Sequence, residues 1–286
     1  MACCDTMNPT IQVNPALRAV RFGNAVTAAL IGSWDKNNGM FGNGDCLLVD
    51  VRHRVFALSD ASERSPQASR RLLQAIAAGM CTAPWPECLH SAWCSQPYVQ
   101  KATFVGIQLQ MNPRPEAVVF SGGDSTLLIF DGRTGKILYR NPVNMHFVGR
   151  MSAAPSPVRV PLTPESRILL ASDGLTDVLD RNDDGHPPQF LRSMNHPQSW
   201  LAWLLDEVRR LRHEAFLHDD IAVINIDPFA LKDINPCDGI LLGGTTASEE
   251  KTFVHTALPN QWFSIDRAAC TGYLKTMGLI TIPLPE

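Results

Sequence analysis

Aspartates at the ends of apolar segments are the residues of this chain best suited to chemistry. Asp173 directly follows the apolar segment 168–172, and Asp219 stands just before the apolar segment 221–226. If the two segments form antiparallel strands, the end of the first meets the start of the second, so the two carboxylates lie together. Carboxylates at such short range repel each other unless protons or cations neutralise them.

A second carboxylate pair follows from a predicted β-hairpin. Segments 46–51 and 54–59 both have strand composition and are joined only by residues 52–53, as in a tight antiparallel hairpin. In that register Asp45 lies opposite Asp60, and both side chains emerge at the open end of the hairpin.

Two more aspartates extend the set, because Asp124 lies in a turn between predicted strands and Asp177 lies one helical turn after Asp173. A single aspartate at a strand end is usually a turn former or a helix cap. Several at paired strand ends instead predict a site for hard divalent cations, which prefer oxygen ligands. Two such ions about 4 Å apart could share a water molecule, lower its pKa and direct it at phosphorus.

Short β-strands separated by turn formers must position these aspartates. The predicted strands cover residues 46–51, 54–59, 103–110, 117–121, 126–130, 136–140, 168–172 and 221–226. One predicted helix opens with Ser65 as N-cap and Pro66 as its first helical residue, and another covers residues 198–214. Each helix has a single apolar stripe that must be buried against another layer, so the pattern predicts a layered α+β sandwich.

The bulk composition narrows the class of protein. With 45% hydrophobic and 19% charged residues and a net charge of −3, the chain resembles an ordinary globular protein and has no basic footprint for nucleic acid. It has no apolar stretch of membrane-spanning length, no leader-like start, and Ala2 where a myristoyl anchor needs glycine. We therefore expect a cytoplasmic monomer with no nucleic-acid or membrane partner.

The eight cysteines, in a chain without an export signal, predict reduced thiols. The segment 81–101 holds a cluster of Cys81, Cys88 and Cys94 whose spacing does not match paired structural zinc ligands, so free thiols in a long loop are the expectation. Its aromatic residues, Trp85 among them, could form a substrate-facing flap or could anchor the loop to the core.

Five short motifs, in order along the chain, resemble those of the metal-dependent, type 2C-like Ser/Thr protein phosphatases. Residues 170–179, Leu-Ala-Ser-Asp-Gly-Leu-Thr-Asp-Val-Leu, closely resemble that family's Ser-Asp-Gly-Leu-Trp-Asp-Val signature. The other four are weaker singly: Asn-Gly-Asp at 43–45, Leu-Ser-Asp-Ala at 58–61, Gly-Asp-Ser at 123–125 and Asp-Asp-Ile-Ala-Val at 219–223.

The resemblance covers roughly residues 25–227, with residues 1–24 expected as a loose lead-in and residues 228–286 as a C-terminal appendage of unknown role. It implies a four-layer α-β-β-α sandwich with two central antiparallel sheets flanked by helices. It also implies two manganese or magnesium ions, with a third in some members. The implied reaction is hydrolysis of phosphoserine or phosphothreonine in a phosphorylated protein by metal-bound water, without a phosphoenzyme.

Roles carry over from the family one residue at a time. Asp60 would bridge both ions, and Asp173 and Asp219 would hold the first, which makes these three the expected catalytic set. The carbonyl of Ala61, and Asp45 through water, would serve the second ion. The weaker third site would use Asp124 and Asp177.

Several positions depart from the family pattern. The departures are Gly44 for glutamate, Met40 for a phosphate-binding arginine, Ala61 for glycine, Thr176 for tryptophan and Ala222 for threonine. Lys36 or Arg64 could replace the missing arginine, because a cation can bind phosphate, although a solvated surface position is the more common role for such a residue. His218 could act as general acid or be purely structural.

Two further functions stay open beside the phosphatase. The first is a pseudophosphatase of the same fold that binds a partner or phosphoprotein with weak or no catalysis, which Gly44 and Met40 favour. The second is a two-metal hydrolase of small phosphoesters, which the ordered motifs disfavour.

Overall fold

A computed structural model describes residues 11–33, 41–62, 64–97, 101–149, 153–181, 187–194, 199–213, 219–234, 238–265, 272 and 274–282. The strands in chain order are β1 (Ile11–Asn14), β2 (Ala19–Phe22), β3 (Val26–Ile31), β4 (Asn43–Asp50), β5 (Val55–Asp60), β6 (Phe104–Gln110), β7 (Glu116–Gly122), β8 (Thr126–Asp131), β9 (Ile137–Arg140), β10 (Val158–Pro161), β11 (Ser166–Ala171), β12 (Ile221–Ile226), β13 (Gly239–Thr245), β14 (Phe263–Ser264) and β15 (Leu279–Ile282). The α-helices are α1 (Gln67–Gly79), α2 (Trp85–Cys94), α3 (Asp173–Arg181), α4 (Pro187–Ser193), α5 (Ser199–His213) and α6 (Ala247–His255).

These strands form two antiparallel sheets. The first has the order β14-β1-β2-β3-β12-β11-β8-β9, and the second has the order β10-β7-β6-β5-β4-β13-β15. Helices cover the outer faces of both sheets, so the predicted α+β sandwich with two central antiparallel sheets is confirmed.

Alternation of side chains along the strands separates three apolar layers. In β5, Phe56 and Leu58 pack between the two sheets, whereas Val55 and Ala57 pack beneath α1 and α2. In β11, Ile168 and Leu170 face the second sheet, while Leu169 and Ala171 pack beneath α3, α4 and α5. Since both faces of these strands are buried, they read in the sequence as nearly continuous apolar runs.

The predicted helix after the hairpin begins slightly later than expected. Pro66 is the N-cap residue of α1, and its backbone already has helical angles, so Ser65 is not the cap. No side chain caps this end. The second predicted helix, residues 198–214, matches α5 (Ser199–His213) within one residue at each end.

A helix replaces the long loop expected over residues 81–101. Trp85, Cys88, Leu89, Ala92 and Trp93 are buried along one face of α2, at the spacing of a helical stripe. Trp85 and Trp93 are among the largest fully buried side chains, so they anchor this segment to the second sheet instead of forming a flap.

Both terminal segments contribute strands to the sheets. The expected lead-in contains β1 and β2, which pair with each other, and β2 also pairs with β3. In the expected appendage, β14 pairs with β1, and β13 lies between β4 and β15. β13, β14 and β15 are therefore part of the two sheets, whereas the sequence predicted an appendage packed on the domain. Within the described ranges, no helix is long and apolar enough to cross a membrane.

Candidate functional site

The β4–β5 hairpin brings the first pair of aspartates together. Asp45 lies directly opposite Asp60, in the register predicted from the sequence. Asp45 is 1% exposed, and Asp60 is partly buried at the open end of the hairpin. The connecting turn covers residues 51–54 and is two residues longer than predicted.

The second pair of aspartates lies where the end of β11 meets the start of its antiparallel neighbour β12. The last paired residues are Ala171 and Val223, so Asp173 lies two residues after the end of β11 and Asp219 lies two residues before the start of β12. Burial raises the pKa of Asp173 to about 6, and the carboxylates of Asp219, Asp124 and Asp177 add to the increase. Asp173 therefore interacts electrostatically with Asp219, its predicted partner, and with Asp124 and Asp177.

The two pairs converge on each other across the sheets. Burial raises the pKa of Asp45 well above its usual range, and repulsion from Asp60, Asp220 and Asp173 raises it further. A hydrogen bond from Ser172 acts in the opposite direction. Since the strand ends of one sheet face those of the other, the carboxylates of the β4–β5 hairpin and of the β11–β12 strand pair form one acidic cluster.

Ser172 and Asp220 belong to this cluster and were not assigned roles from the sequence. The Ser172 hydroxyl lies 2.8 Å from Asp45 Oδ2 and accepts a hydrogen bond of 2.8 Å from the Ala222 amide. Asp220 is 3% exposed, and its Oδ1 accepts a 2.8 Å hydrogen bond from the Ser33 amide. Their adjacency to Asp173 and Asp219 was the available sequence signal, but only the packing of the two sheets shows that Ser172 touches Asp45.

Thr103 connects Asp60 to the turn that carries Asp124. Its amide donates to the Asp60 carbonyl at 2.7 Å, and its hydroxyl accepts from the Asp60 amide at 3.1 Å. The same hydroxyl is hydrogen-bonded to Ser125. Thr103, Asp60 and Asp124 line a cleft of about 230 Å³ that is open to solvent and also includes Ser62, Lys101, Ala102 and Phe147.

Gly44 is a close-contact position and not merely a missing glutamate. The Ala61 amide donates a 3.1 Å hydrogen bond to the Gly44 carbonyl. A Cβ atom built on Gly44 would lie 1.8 Å from the Ala61 carbonyl oxygen, far inside van der Waals contact. The Ala61 carbonyl therefore occupies the space where a side chain at position 44 would start.

Of the residues expected to bind phosphate, Arg64 does not lie at the cleft beside Asp60. Arg64 is exposed and lines a separate depression with Arg71 and Thr246, not the cleft beside Asp60. Lys36, Met40 and His218 lie outside the described residues. Among the described residues that line the cleft, the cation is Lys101, which no sequence motif indicated.

The cluster suits a hard cation by donor type and charge. Its side chains offer carboxylate oxygens, the ligands that magnesium and manganese prefer. In the described part of the chain, however, no group of three acidic, histidine or cysteine side chains is arranged so that it could hold one metal ion. The carboxylates thus share an electrostatic environment without meeting at a common ligand point.

Comparison with known proteins agrees with the resemblance seen in the motifs. The family model for Stage II sporulation protein E (SpoIIE) matches residues 87–228. No curated protein sequence matches the chain.

Several solved structures are similar in fold. The SiaA-PP2C domain of Pseudomonas aeruginosa aligns with a TM-score of 0.53 at 13% identity, covering 71% of this chain and 86% of that one. The catalytic domain of the Ser/Thr phosphatase PstP, solved with 2 manganese ions, aligns with a TM-score of 0.51 at 16% identity over 70% of this chain and 97% of that one. RsbX, solved with magnesium, gives 0.52 at 12% identity over 72% and 96%.

The chain thus has the fold of the type 2C-like, metal-dependent protein phosphatases, and the resemblance predicted from its motifs is confirmed. At these identities the solved structures establish the fold.

Proposed function

We propose that this protein is a metal-dependent phosphatase that hydrolyses phosphoserine or phosphothreonine in a phosphorylated protein. The observation that carries the proposal is the convergence of the Asp45–Asp60 and Asp173–Asp219 strand ends into one acidic cluster beside an open cleft. PstP was solved with manganese and RsbX with magnesium, which supports the same choice of ions here.

In this proposal Asp60, Asp173 and Asp219 would hold the two ions, and the Ala61 carbonyl and, through water, Asp45 would also serve them. No three acidic side chains among the described residues meet at one ligand point, so ion binding would have to draw these side chains together. A weaker third ion would involve Asp124 and Asp177. The bound cations supply charge that activates water and stabilises negative charge on the phosphoryl oxygens. The chain itself fixes the cluster, because Ser172 holds Asp45 and Thr103 holds the Asp60 backbone.

The test is hydrolysis of p-nitrophenyl phosphate and of a phosphothreonine peptide as manganese is added. Asp60→Asn and Asp173→Asn should each lower kcat/KM by at least about a hundredfold, because each would remove the charge of a proposed metal ligand. Asp206→Asn is the matched control, because Asp206 is exposed on α5. Within the described residues, its side chain forms an ion pair with Arg209. The activity of Asp206→Asn should equal that of the unchanged protein.

Two failures would have different meanings. Manganese binding by calorimetry without hydrolysis of either substrate would indicate a pseudophosphatase that uses the same site for binding. No binding of manganese or magnesium at all would remove both the phosphatase and the pseudophosphatase.

A further inference from the structure

The cleft beside the acidic cluster contains one cationic side chain among its described lining residues. Lys101 is exposed at the cleft, together with Asp60 and Asp124. We propose that Lys101 binds the phosphoryl group of the substrate, in place of the arginine that is absent at position 40. The assignment rests on the proposed phosphatase function and specifies which residue of the chain recognises the phosphate.

The backbone next to Lys101 is fixed to both sides of the cleft. Ala102 forms antiparallel bridges with Ala61 and with Val148. The Val148 amide donates to the Ala102 carbonyl at 2.9 Å, and the next residue, Thr103, is bonded to Asp60 as described above. The Lys101 side chain is therefore attached one residue before a hydrogen-bonded backbone segment that contacts Asp60, one of the proposed metal ligands. Such anchoring limits the entropy lost when Lys101 binds a ligand.

Charge explains why a cation is needed at this position. Asp60 and Asp124 line the same cleft, so a phosphate dianion that enters it meets negative potential on its protein side. Lysine is a compact point charge that binds phosphate oxygens well. No carboxylate in the described ranges lies within ion-pair distance of Lys101, which leaves its ammonium group available for a ligand.

Of the two basic residues considered from the sequence, Lys36 lies outside the described residues and Arg64 fits this role less well. Arg64 lies in a depression that shares no lining residue with the cleft. Position 40 is methionine and carries no charge. Among the described residues, Lys101 is thus the cation whose position allows contact with a phosphoryl group beside Asp60.

The first experiment compares Lys101→Met, Lys101→Arg and Lys136→Met in manganese-loaded protein. Lys136 is also exposed but lies before β9 in the first sheet, so its substitution is the matched control. Lys101→Met should lower kcat/KM for a phosphothreonine peptide by about tenfold to a hundredfold, as expected for loss of a charge-assisted hydrogen bond. Lys101→Arg should retain activity within a few fold, and Lys136→Met should leave it unchanged.

The second experiment measures binding of inorganic phosphate to manganese-loaded protein by calorimetry, so that the assignment does not depend on turnover. Lys101→Met should weaken phosphate binding by a similar factor while its manganese affinity equals that of the unchanged protein. If the unchanged protein is inactive but binds phosphate through Lys101, the phosphatase proposal fails and the Lys101 assignment stands. Unaltered phosphate binding and unaltered kcat/KM in Lys101→Met would overturn the Lys101 assignment alone.

Discussion

Asp173 is held in surroundings that oppose its ionisation. Its pKa of about 6 lies above the ordinary value of 3.8, so folding favours the protonated form. The sign of the effect follows from linkage: the penalty is absent below the ordinary pKa and fully present above the raised one, so metal-free stability falls as pH rises between them. A neutral side chain of the same shape avoids that penalty.

We therefore expect Asp173→Asn to stabilise the metal-free protein at about pH 8 by roughly 1–2 kcal/mol and to have little effect at about pH 4. Urea unfolding in the presence of a chelator measures both values. Asp206→Asn, at an exposed site, should give the same small change at both pH values. A loss of stability in Asp173→Asn at about pH 8 would show that its hydrogen bonds outweigh the repulsion.

Gly44 illustrates a residue whose importance lies in contact and not in chemistry. Gly44→Ala would place Cβ against the Ala61 carbonyl, so we expect a loss of about 1–3 kcal/mol in the free energy of unfolding, as for other overpacked sites. Gly272→Ala, where nothing lies within 4 Å of the added atom, is the control.

Gly44→Glu should likewise fail to improve manganese binding in calorimetry, although it restores the family's residue type. Tighter binding in that variant would contradict the steric argument.

At this scale the sequence revealed the pairing of Asp45 with Asp60 because hairpin register is a local property. It did not reveal Ser172 beside Asp45, or Lys101 in the cleft, because those positions depend on how two sheets and a distant loop pack together. Contacts between residues far apart in the chain leave no periodic trace in a single sequence.

At the scale of elements, α2 was missed because cysteines and prolines in its segment suggested a loop. Its apolar stripe was nevertheless present in the spacing of Trp85, Leu89 and Trp93. The helix supports the strands that carry the cleft, since Trp93 packs against Phe104 of β6 at a centroid distance of 6.2 Å and closely approaches Gly122 of β7.

Trp93→Ala should therefore lower the free energy of unfolding by about 3–5 kcal/mol, the usual cost of removing a large buried aromatic side chain. Trp203→Ala is the control, because Trp203 is 37% exposed and should cost less. Chemical denaturation followed by circular dichroism measures both. If Trp93→Ala costs no more than Trp203→Ala, α2 is not a structural support of the cleft.

At the scale of the whole molecule, the C-terminal segment completes the sheet that carries Asp45. The matched region covers 70% of this chain and 97% of PstP, so this chain has residues beyond the shared fold. β13 pairs with β4 from Val49 to Asn43, with an irregularity between Gly243 and Thr245. β13 contains three glycines, which are depleted in strands and give little β signal, and this explains why the pairing could not be predicted from sequence.

A buried ion pair fastens that segment to the start of the domain. Arg18 Nη1 donates to both carboxylate oxygens of Glu250 in α6, at 2.9 and 2.8 Å, and Arg18 Nη2 donates to the Met277 carbonyl at 3.2 Å. Both side chains are almost fully buried. Removing one partner leaves an unpaired charge in the interior, which is more costly than removing both.

Arg18→Met and Glu250→Gln should thus each cost about 3–5 kcal/mol of unfolding free energy, and the double variant should cost less than their sum. Arg209→Met, which breaks an exposed pair with Asp206, should cost no more than about 0.5 kcal/mol. Because β13 lies against β4, the single variants should also weaken manganese binding, measured by calorimetry at a temperature where they remain folded. Weaker stability with unchanged manganese affinity would show that the C-terminal segment supports the fold without setting the position of Asp45.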